Sequence, residues 1–442
     1  MKLNNKRTFL IGLAFMSICA FWQMYDFSIP LILRDTFGIG DTLSGVIMAA
    51  DNVLALFLLP LLGSVSDRVD TKIGKRMPFI IYGTFSSVVL LSLLPVMDNL
   101  YASSPAEWIK FAFIFVLLVL LVAMASYRSP AVALMPDLTP KPLRSKANAI
   151  INLMGAIGGA FALLLIKVLY PKSKTQGASH IDYLPLMLII AAFMLVSVIW
   201  LFFSIKEKRD NADVIAYDKA HPEECTEDDT DKKAALPKEV RKSLAFILTS
   251  IALWFMGYNA VSTAFSKFAT QEWQMAEGDA STCLLIGTVG AMISYIPIGI
   301  LSSRIGRKKT ILSGCALLAA CFAAVALLSL SKSIPTLVLY VIFVLVGFAW
   351  AAINVNSLPM VVEMCKGSDV GKFTGVYYTF SMAAQVVTPI LSGFLLEYVG
   401  YWTLFPYAAL FVAASFATML FVRHGDNRPE RRSALESFDV ED

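Results

Sequence analysis

The stretch Gly63-Ser-Val-Ser-Asp67-Arg68, continued by Gly74-Lys75-Arg76, recurs later in the chain as Gly299-Ile-Leu-Ser-Ser303-Arg304, continued by Gly306-Arg307-Lys308. Each copy follows an apolar run of membrane-spanning length and leads through a short basic turn into another such run. This pattern of glycine, then Asp or Ser, then Arg is repeated about half a chain apart. It indicates an internally duplicated membrane protein.

The composition also indicates a membrane protein. Of the 442 residues, 57% are hydrophobic and 16% are charged, whereas soluble globular proteins carry about 25% charged residues. A helix needs about 20 mainly apolar residues to cross the hydrocarbon core of a bilayer. Twelve runs meet this requirement, and we number them as spans 1 to 12: 9–33, 42–62, 78–97, 109–134, 148–170, 184–203, 244–264, 281–301, 309–329, 335–357, 373–396 and 402–422. The sequence therefore predicts an all-α membrane protein with twelve transmembrane helices.

The distribution of basic residues predicts the orientation of these helices. If the N-terminus is cytoplasmic, most of the 37 Lys and Arg residues fall on the inner side, as the positive-inside rule requires. Both termini are then cytoplasmic. The net charge of +4 reflects this asymmetry, so we expect no nucleic-acid partner. The six cysteines show no metal-binding spacing, so we expect no metal site.

Residues 204–243 divide the spans into two sets of six. This segment is polar and rich in charges of both signs, so it cannot bury a core. We predict a solvated cytoplasmic linker, with room for a surface helix. The predicted domains are an N-terminal six-helix bundle over 1–203, the linker over 204–243, a C-terminal six-helix bundle over 244–422 and a cytoplasmic tail over 423–442.

The two halves also match at polar positions away from the basic turns. Tyr25-Asp26 in span 1 corresponds to Tyr258-Asn259 in span 7. Asp137 at the end of span 4 and Glu363 at the end of span 10 are each followed by a lysine nine residues later. Chance similarity between apolar helices does not explain these matches, so we predict a parallel duplication of six helices.

Several motifs carry a resemblance to a known family: Asp51-Asn52, Pro60 to Arg68, Gly74 to Phe79, Arg128-Ser129-Pro130, Met135-Pro136-Asp137, Ala147-Asn148-Ala149-Ile150 and Phe255 to Ala260. In these motifs the chain resembles major facilitator transporters. Within them it is most similar to the glycoside–pentoside–hexuronide:cation symporters and the related sucrose:proton symporters. The resemblance implies two pseudo-symmetric bundles with a substrate site near the bilayer midplane between the halves. It also implies a plasma-membrane protein, with the bacterial inner membrane favoured, and we expect a monomer.

The basic turns suggest a conformational latch. Gly63 lets two helix backbones approach each other, and Asp67 can accept hydrogen bonds from a helix N-terminus and pair with a basic side chain. By resemblance its partners are the start of span 11 and either Arg76 or Arg68, whereas a loop charged merely for topology is the alternative. Ser303 replaces the aspartate in the second copy and predicts a weaker latch there. The candidate latch residues are Gly63, Asp67, Arg68, Gly74, Arg76, Asp137, Arg304, Glu363 and Lys372.

Asp26, Asp51 and Arg128 are ionisable side chains that lie well inside the first-half spans. A charge at the bilayer centre costs about 2.5–3.5 kcal/mol on insertion scales, so each such group needs a partner, a watery cavity or a proton. We predict that Asp26 or Asp51 is the coupling-ion site, with Arg128 as its charge partner or as a donor to a sugar; a purely structural carboxylate–arginine pair is the alternative. Ala55 lies one helical turn after Asp51. Because sodium sites need several oxygen ligands, a proton is favoured over sodium.

Aromatic and amide side chains within the spans suit a sugar, because its apolar C–H faces stack on rings while amides bind its hydroxyls. Packing or lipid-facing roles are the alternative for each ring. Trp254 is matched with Trp22, with a displacement of one residue. The candidate cavity residues are Trp22, Tyr25, Asn52, Arg128, Asn152, Trp254, Tyr258, Asn259, Asn354 and Gln385.

Enzyme signatures are absent from the sequence: it contains no P-loop, zinc motif or nucleophile elbow. We therefore expect a secondary transporter that moves a small polar solute, favouring a sugar or glycoside, by proton-coupled symport through alternating access. An exporter of drugs or metabolites with the same fold and a transporter-like sensor are the alternatives. The sequence leaves open the substrate and the direction of transport.

Overall fold

The computed structural model describes residues 4–140, 143–220, 237–330, 335–364 and 370–426. In this part of the chain the regular structure is helical, and twelve helices are long and apolar enough to cross a membrane. In order they are Asn5–Thr36, Asp41–Arg68, Met77–Ser103, Glu107–Asp137, Lys146–Leu169, Leu184–Ser204, Lys238–Glu272, Glu277–Ile305, Arg307–Leu328, Thr336–Val362, Phe373–Tyr398 and Tyr401–Leu420. The predicted all-α fold with twelve spans is confirmed.

The chain forms two compact units. The first contains Met1–Cys225 and the short segment Ala276–Ser281, and the second contains Thr226–Met275 and Thr282–Asp442. Each unit therefore holds six of the spans, apart from the first residues of span 8, which pack with the first unit.

Helix pairing within the two units follows one scheme. In the first unit, span 1 packs against spans 5 and 6, and span 3 packs against spans 4 and 6. In the second unit, span 7 packs against spans 11 and 12, and span 9 packs against spans 10 and 12. Adding six to each span number of the first set gives the second set. The internal packing therefore repeats in parallel, as the matched sequence motifs indicate.

Small residues permit the close contacts in each unit. A Cβ atom added to Gly83 would lie 2.8 Å from the backbone nitrogen of Tyr127, between spans 3 and 4. In the second unit, a Cβ atom on Gly314 would lie 2.9 Å from the carbonyl oxygen of Ala349, between spans 9 and 10. Without a hydrophobic force between helices in lipid, such backbone proximity supplies the packing energy.

The segment predicted as a solvated linker contains more structure than composition suggests. Residues Glu207–Ala220 form a helix, here called the linker helix, and its Glu207 and Val214 side chains are buried. Span 7 begins within the predicted linker, at Lys238. Residues 221–236 and 427–442, which complete the predicted linker and tail, lie outside the described residues.

Candidate functional site

The predicted coupling residues come together in the first unit. Asp26 lies on span 1, Asp51 on span 2 and Arg128 on span 4. Asp26 and Asp51 are within electrostatic range of each other, and Arg128 is within range of Asp51. The side-chain nitrogen of Asn52 donates a hydrogen bond to Oδ1 of Asp51 at 2.7 Å. Three helices thus bring two carboxylates, one guanidinium and one amide into a single polar cluster.

Aromatic side chains of span 1 adjoin this cluster. The guanidinium carbon of Arg128 lies 5.9 Å from the centre of the Trp22 ring, within the range of a cation–π interaction. Trp22 packs edge-on against Tyr25 at 5.5 Å between ring centres. Within the described residues, the indole N–H of Trp22 and the buried hydroxyl of Tyr25 have no hydrogen-bond partner. Both groups are therefore buried polar atoms that their described surroundings leave unsatisfied. Asn152 is partly buried on span 5, which packs on span 1.

The second unit presents a separate aromatic group. The rings of Tyr258 on span 7 and Trp350 on span 10 stack face to face, 3.7 Å apart and 6° from parallel. Phe255 meets Trp350 edge-on at 5.4 Å. The side-chain nitrogen of Asn259 is buried without a hydrogen-bond partner in the described part of the chain. Asn354 lies one turn after Trp350 and is almost fully buried, and Gln385 is partly buried on span 11.

Trp254, a candidate cavity residue, is as deeply buried as Tyr25 of the first unit. Its side chain is on the buried face of span 7, which also contains Ile247 and Ile251 at helical spacing. The match of Trp22 to Trp254 is one residue out of step, and one residue rotates a helical side chain by about 100°. Phe255 is the in-register counterpart and contacts Trp350. Trp350 is not among the candidate cavity residues predicted from the sequence. Its ring partners, Tyr258 and Phe255, lie on span 7, far from Trp350 in sequence, so no local motif connects them.

Arg76 is the centre of the polar network around the first basic turn. Its side chain is nearly buried, pairs with Asp67, and donates from Nε to Oδ2 of Asp137 at 2.9 Å. Its Nη1 also donates to the carbonyl oxygen of Gly63 at 3.2 Å. Arg68 is exposed, so Arg76 is the partner of Asp67 among the two arginines considered. Five donors in a fixed plane suit this set of acceptors.

Glu207 of the linker helix completes this network, and hydropathy gave no sign of it. Its carboxylate accepts hydrogen bonds from the backbone nitrogens of Lys75 at 2.9 Å, Arg76 at 2.9 Å and Met77 at 2.8 Å. Gly74 has a φ of +123°, and a Cβ atom there would collide with this carboxylate. The turn therefore requires glycine for both its backbone angle and its space.

The second basic turn has ion-pair and hydrogen-bond contacts of its own. Arg307 pairs with Glu363, and Oδ1 of Asp426 accepts from the backbone nitrogen of Lys308 at 2.8 Å. Ser303 is partly buried and donates to the carbonyl of Ile300 in its own helix at 2.8 Å. Arg304 is exposed. Lys372 lies in the helix Val370–Tyr398, and its side chain is outside the described residues.

A second group of polar side chains in the first unit lies around the segment just before span 6, at His180 and Tyr183. The Tyr183 hydroxyl donates to Oε1 of Glu277 at 2.5 Å. Burial, and next the charge of Glu277, raise the pKa of Tyr183 well above its ordinary value of 10.0. Nε2 of His180 lies 2.7 Å from Oδ1 of Asn99. Burial lowers the pKa of His180 from 6.5, opposed by the charge of Asp182.

Twelve spans, a repeated packing scheme and polar groups held within the spans define a polytopic membrane protein built from two similar helical units. No group of three or more potential metal ligands occurs in the part of the chain that the structure describes. The sequence profile of the Major Facilitator Superfamily matches residues 11–331 and 247–439. The chain belongs to this superfamily.

Known proteins resemble the chain over different lengths. An uncharacterized MFS-type transporter of Schizosaccharomyces pombe is 28% identical over 174 residues, which cover 37% of this chain and 38% of that protein. The match thus spans well under half of the relative's length.

Solved structures match over almost the whole chain. A bacterial homologue of the iron transporter ferroportin has a TM-score of 0.68 at 14% identity, covering 95% of this chain and 99% of the other. The nucleoside transporter NupG has a TM-score of 0.65 at 14% identity, covering 94% and 99%. A proton-dependent oligopeptide transporter has a TM-score of 0.68 at 12% identity, covering 95% and 98%. At this identity the likeness establishes the shared fold, and these cargoes differ widely.

Proposed function

We infer that the protein is a proton-coupled symporter of a small polar solute, with a sugar or glycoside as the favoured class. The observation that carries this proposal is the cluster of Asp26, Asp51 and Arg128 within the spans of the first unit. The corresponding residue of the second unit, Asn259, is neutral. The coupling chemistry is therefore assigned to the first half.

Charge balance supports a proton as the coupling ion. Arg128 offsets one negative charge, whereas Asp26 and Asp51 together can carry two. An unbalanced charge inside the membrane is costly, so uptake of one proton gives the cluster a neutral state. Release of that proton leaves a negative site that favours return of a proton. This alternation is what coupling to a proton gradient requires.

Ring and amide groups support a sugar as the cargo. The first unit offers the Trp22 indole N–H and the Tyr25 hydroxyl, both without a hydrogen-bond partner in the described residues. The second unit offers the Tyr258–Trp350 stack beside Asn259. Aromatic faces with adjacent amides suit a ring that is apolar on its faces and polar at its rim.

We assign the protein to the plasma membrane, with a bacterial inner membrane favoured, and to a monomeric state.

Uptake by proteoliposomes tests the proposal. A panel of labelled sugars and glycosides is offered under an imposed proton gradient and, separately, under a sodium gradient. We expect accumulation of at least one sugar with the proton gradient alone. Accumulation driven by sodium alone contradicts proton coupling, and efflux of apolar compounds without sugar uptake favours the exporter alternative.

Substitutions then locate the coupling site. We expect at least one of the variants Asp26→Asn and Asp51→Asn to lose proton-driven accumulation. That variant should still move substrate down the substrate's own concentration gradient. Glu107→Gln is the matched control, because this carboxylate begins span 4 and is exposed. If both aspartate variants concentrate substrate as the wild type does, neither carboxylate couples transport to protons.

The basic-turn network is assigned to control of alternating access. Asp67→Asn removes one of the two acidic partners of Arg76 and is expected to slow transport while membrane insertion is unchanged. Wild-type uptake by this variant contradicts a latch role for Asp67.

A further inference from the structure

The segment that follows the last span of the first unit turns back to the start of span 3. Span 6 ends at Ser204, and Glu207 opens the linker helix three residues later. Its carboxylate accepts the backbone hydrogen bonds of Lys75, Arg76 and Met77. The nitrogens of Arg76 and Met77 are donors that the span-3 helix leaves unpaired at its N-terminus, and a negative charge there is also favoured by the helix dipole.

The linker helix is fixed to the same region by further contacts. Nζ of Lys208 lies 2.7 Å from Oδ1 of Asp70, in the basic turn. Nδ2 of Asn211 donates to the carbonyl oxygen of Asp137 at 2.8 Å, at the end of span 4. The linker helix thus contacts both segments that supply the side chains of the Arg76 network.

The second unit repeats this arrangement with different residues. The helix of span 12 ends at Leu420, and Asp426 follows it. Oδ1 of Asp426 accepts from the backbone nitrogen of Lys308 at 2.8 Å, at the start of span 9. Gly306 has a φ of +94°, and a Cβ atom on it would lie 2.9 Å from the same oxygen. Glycine, basic turn and incoming carboxylate therefore recur together.

The basic side chains next to these contacts also correspond. Aligning Gly74 with Gly306 places Lys75 opposite Arg307. Nζ of Lys75 lies 3.3 Å from Oδ2 of Asp137, and Arg307 pairs with Glu363. In each unit a basic residue of the third-span start therefore contacts the acidic residue at the end of the fourth span.

We propose that Glu207 and Asp426 are a duplicated pair of positioning residues. Each carboxylate comes from the segment after the last span of its unit and fixes the start of the third span. It thereby directs the adjacent basic side chain to the acidic end of the fourth span. The proposal rests on the proposed function, because it assigns both residues to the rate of the transport cycle. Neither carboxylate contacts the polar cluster at Asp26 and Asp51, so substrate affinity is not part of the role.

Hydrogen exchange of the backbone amides tests the contact without any substrate. In Glu207→Gln, exchange at residues 75–77 is expected to rise about tenfold, since one hydrogen bond to a charged group is weakened. Asp426→Asn is expected to raise exchange at Lys308 and to leave 75–77 unchanged. The exposed carboxylates Asp213 and Glu239 give the matched controls Asp213→Asn and Glu239→Gln. Unchanged exchange at residues 75–77 in Glu207→Gln overturns the proposal.

A double-mutant cycle tests whether Glu207 acts through the Arg76 network. Unfolding in mixed micelles is compared for Glu207→Gln, Asp137→Asn and the double variant. We expect the double variant to lose less than the product of the two single effects, by a factor of at least about two in the unfolding equilibrium constant. Multiplicative effects mean that the two carboxylates act independently and overturn the positioning role.

Transport kinetics provide the readout that a merely structural role does not give. Glu207→Gln is expected to lower the maximal uptake rate roughly 2- to 10-fold with little change in KM. A changed KM with an unchanged maximal rate overturns the proposal. If the wild type transports none of the offered sugars, the proposed function fails. The exchange measurement and the double-mutant cycle then decide whether the two carboxylates position the turns.

Discussion

Replacing Gly74 by alanine is expected to destabilise the first unit strongly. The φ of +123° at this position holds an alanine in a sparsely populated region, which costs roughly 1–3 kcal/mol. The new Cβ atom also displaces the Glu207 carboxylate from the amides of Lys75, Arg76 and Met77. A hydrogen bond to a charged group contributes about 1.5–3 kcal/mol. Losing one of these bonds brings the total to roughly 2.5–6 kcal/mol.

Unfolding titrations in mixed micelles measure this loss against a matched control. Gly38 also has a positive φ, of +62°, but a Cβ atom there meets nothing within 4 Å. Gly38→Ala is therefore expected to lose only the backbone term, about 1–2 kcal/mol. Adding Glu207→Ala to Gly74→Ala removes the collision with the carboxylate, although the Cβ atom of residue 207 still lies 2.7 Å from the new Cβ atom. The double variant is therefore expected to destabilise less than the sum of the single variants. Equal losses in Gly74→Ala and Gly38→Ala would refute the reasoning.

Four further outcomes follow from the described contacts. Trp350→Leu is expected to weaken sugar binding up to about tenfold, because it removes the stack on Tyr258. Tryptophan fluorescence measures the binding, and Trp402→Leu is the control because Trp402 is exposed. Arg128→Gln is expected to abolish proton-driven sugar accumulation in vesicles, and Asp26→Asn is expected to restore part of it because it removes the unbalanced charge. Burial and the charge of Glu277 raise the pKa of Tyr183, so this tyrosine ionises in the unfolded state before it does in the folded state. The free energy of unfolding is therefore expected to fall above about pH 10. Alkaline unfolding titrations should show a smaller fall for Tyr183→Phe than for the wild type. Burial lowers the pKa of His180 from 6.5, so as the pH falls this histidine gains its proton in the unfolded state first. The local stability around His180 is therefore expected to decrease below about pH 6.5. Hydrogen exchange of residues 178–182 measures this pH dependence, and His180→Gln should remove it.

Hydropathy predicts the twelve spans because a bilayer leaves a chain few alternatives. Each backbone polar group in lipid needs an internal partner, so apolar runs of sufficient length form helices. The duplicated turns predict the parallel repeat for a similar reason, since their glycines and charges occur at helix ends in both halves. The grouping of Asp26, Asp51 and Arg128 also agrees with the expectation that membrane charges adjoin one another. Their roles in coupling stay predictions.

Contacts made by single side chains could not be predicted from the sequence. Glu207 and Asp426 lie in polar segments, where composition indicates only solvation, and neither carboxylate differs in sequence from its exposed neighbours. Trp350 reaches Tyr258 from another span, and no local pattern reports that distance. Trp254 is fully buried, and its place in a substrate cavity stays a prediction.

The position of Glu207 in the chain has a consequence for biosynthesis. The network around the first basic turn is made by contacts among Gly63, Asp67, Arg76, Asp137 and Glu207. All five residues are synthesised before span 7, which begins at Lys238. Domains made first generally fold first during translation. The first unit can thus complete this network while the ribosome is still producing the second. Asp426 gives the second unit its corresponding contact only after span 12, which ends at Leu420, has been synthesised.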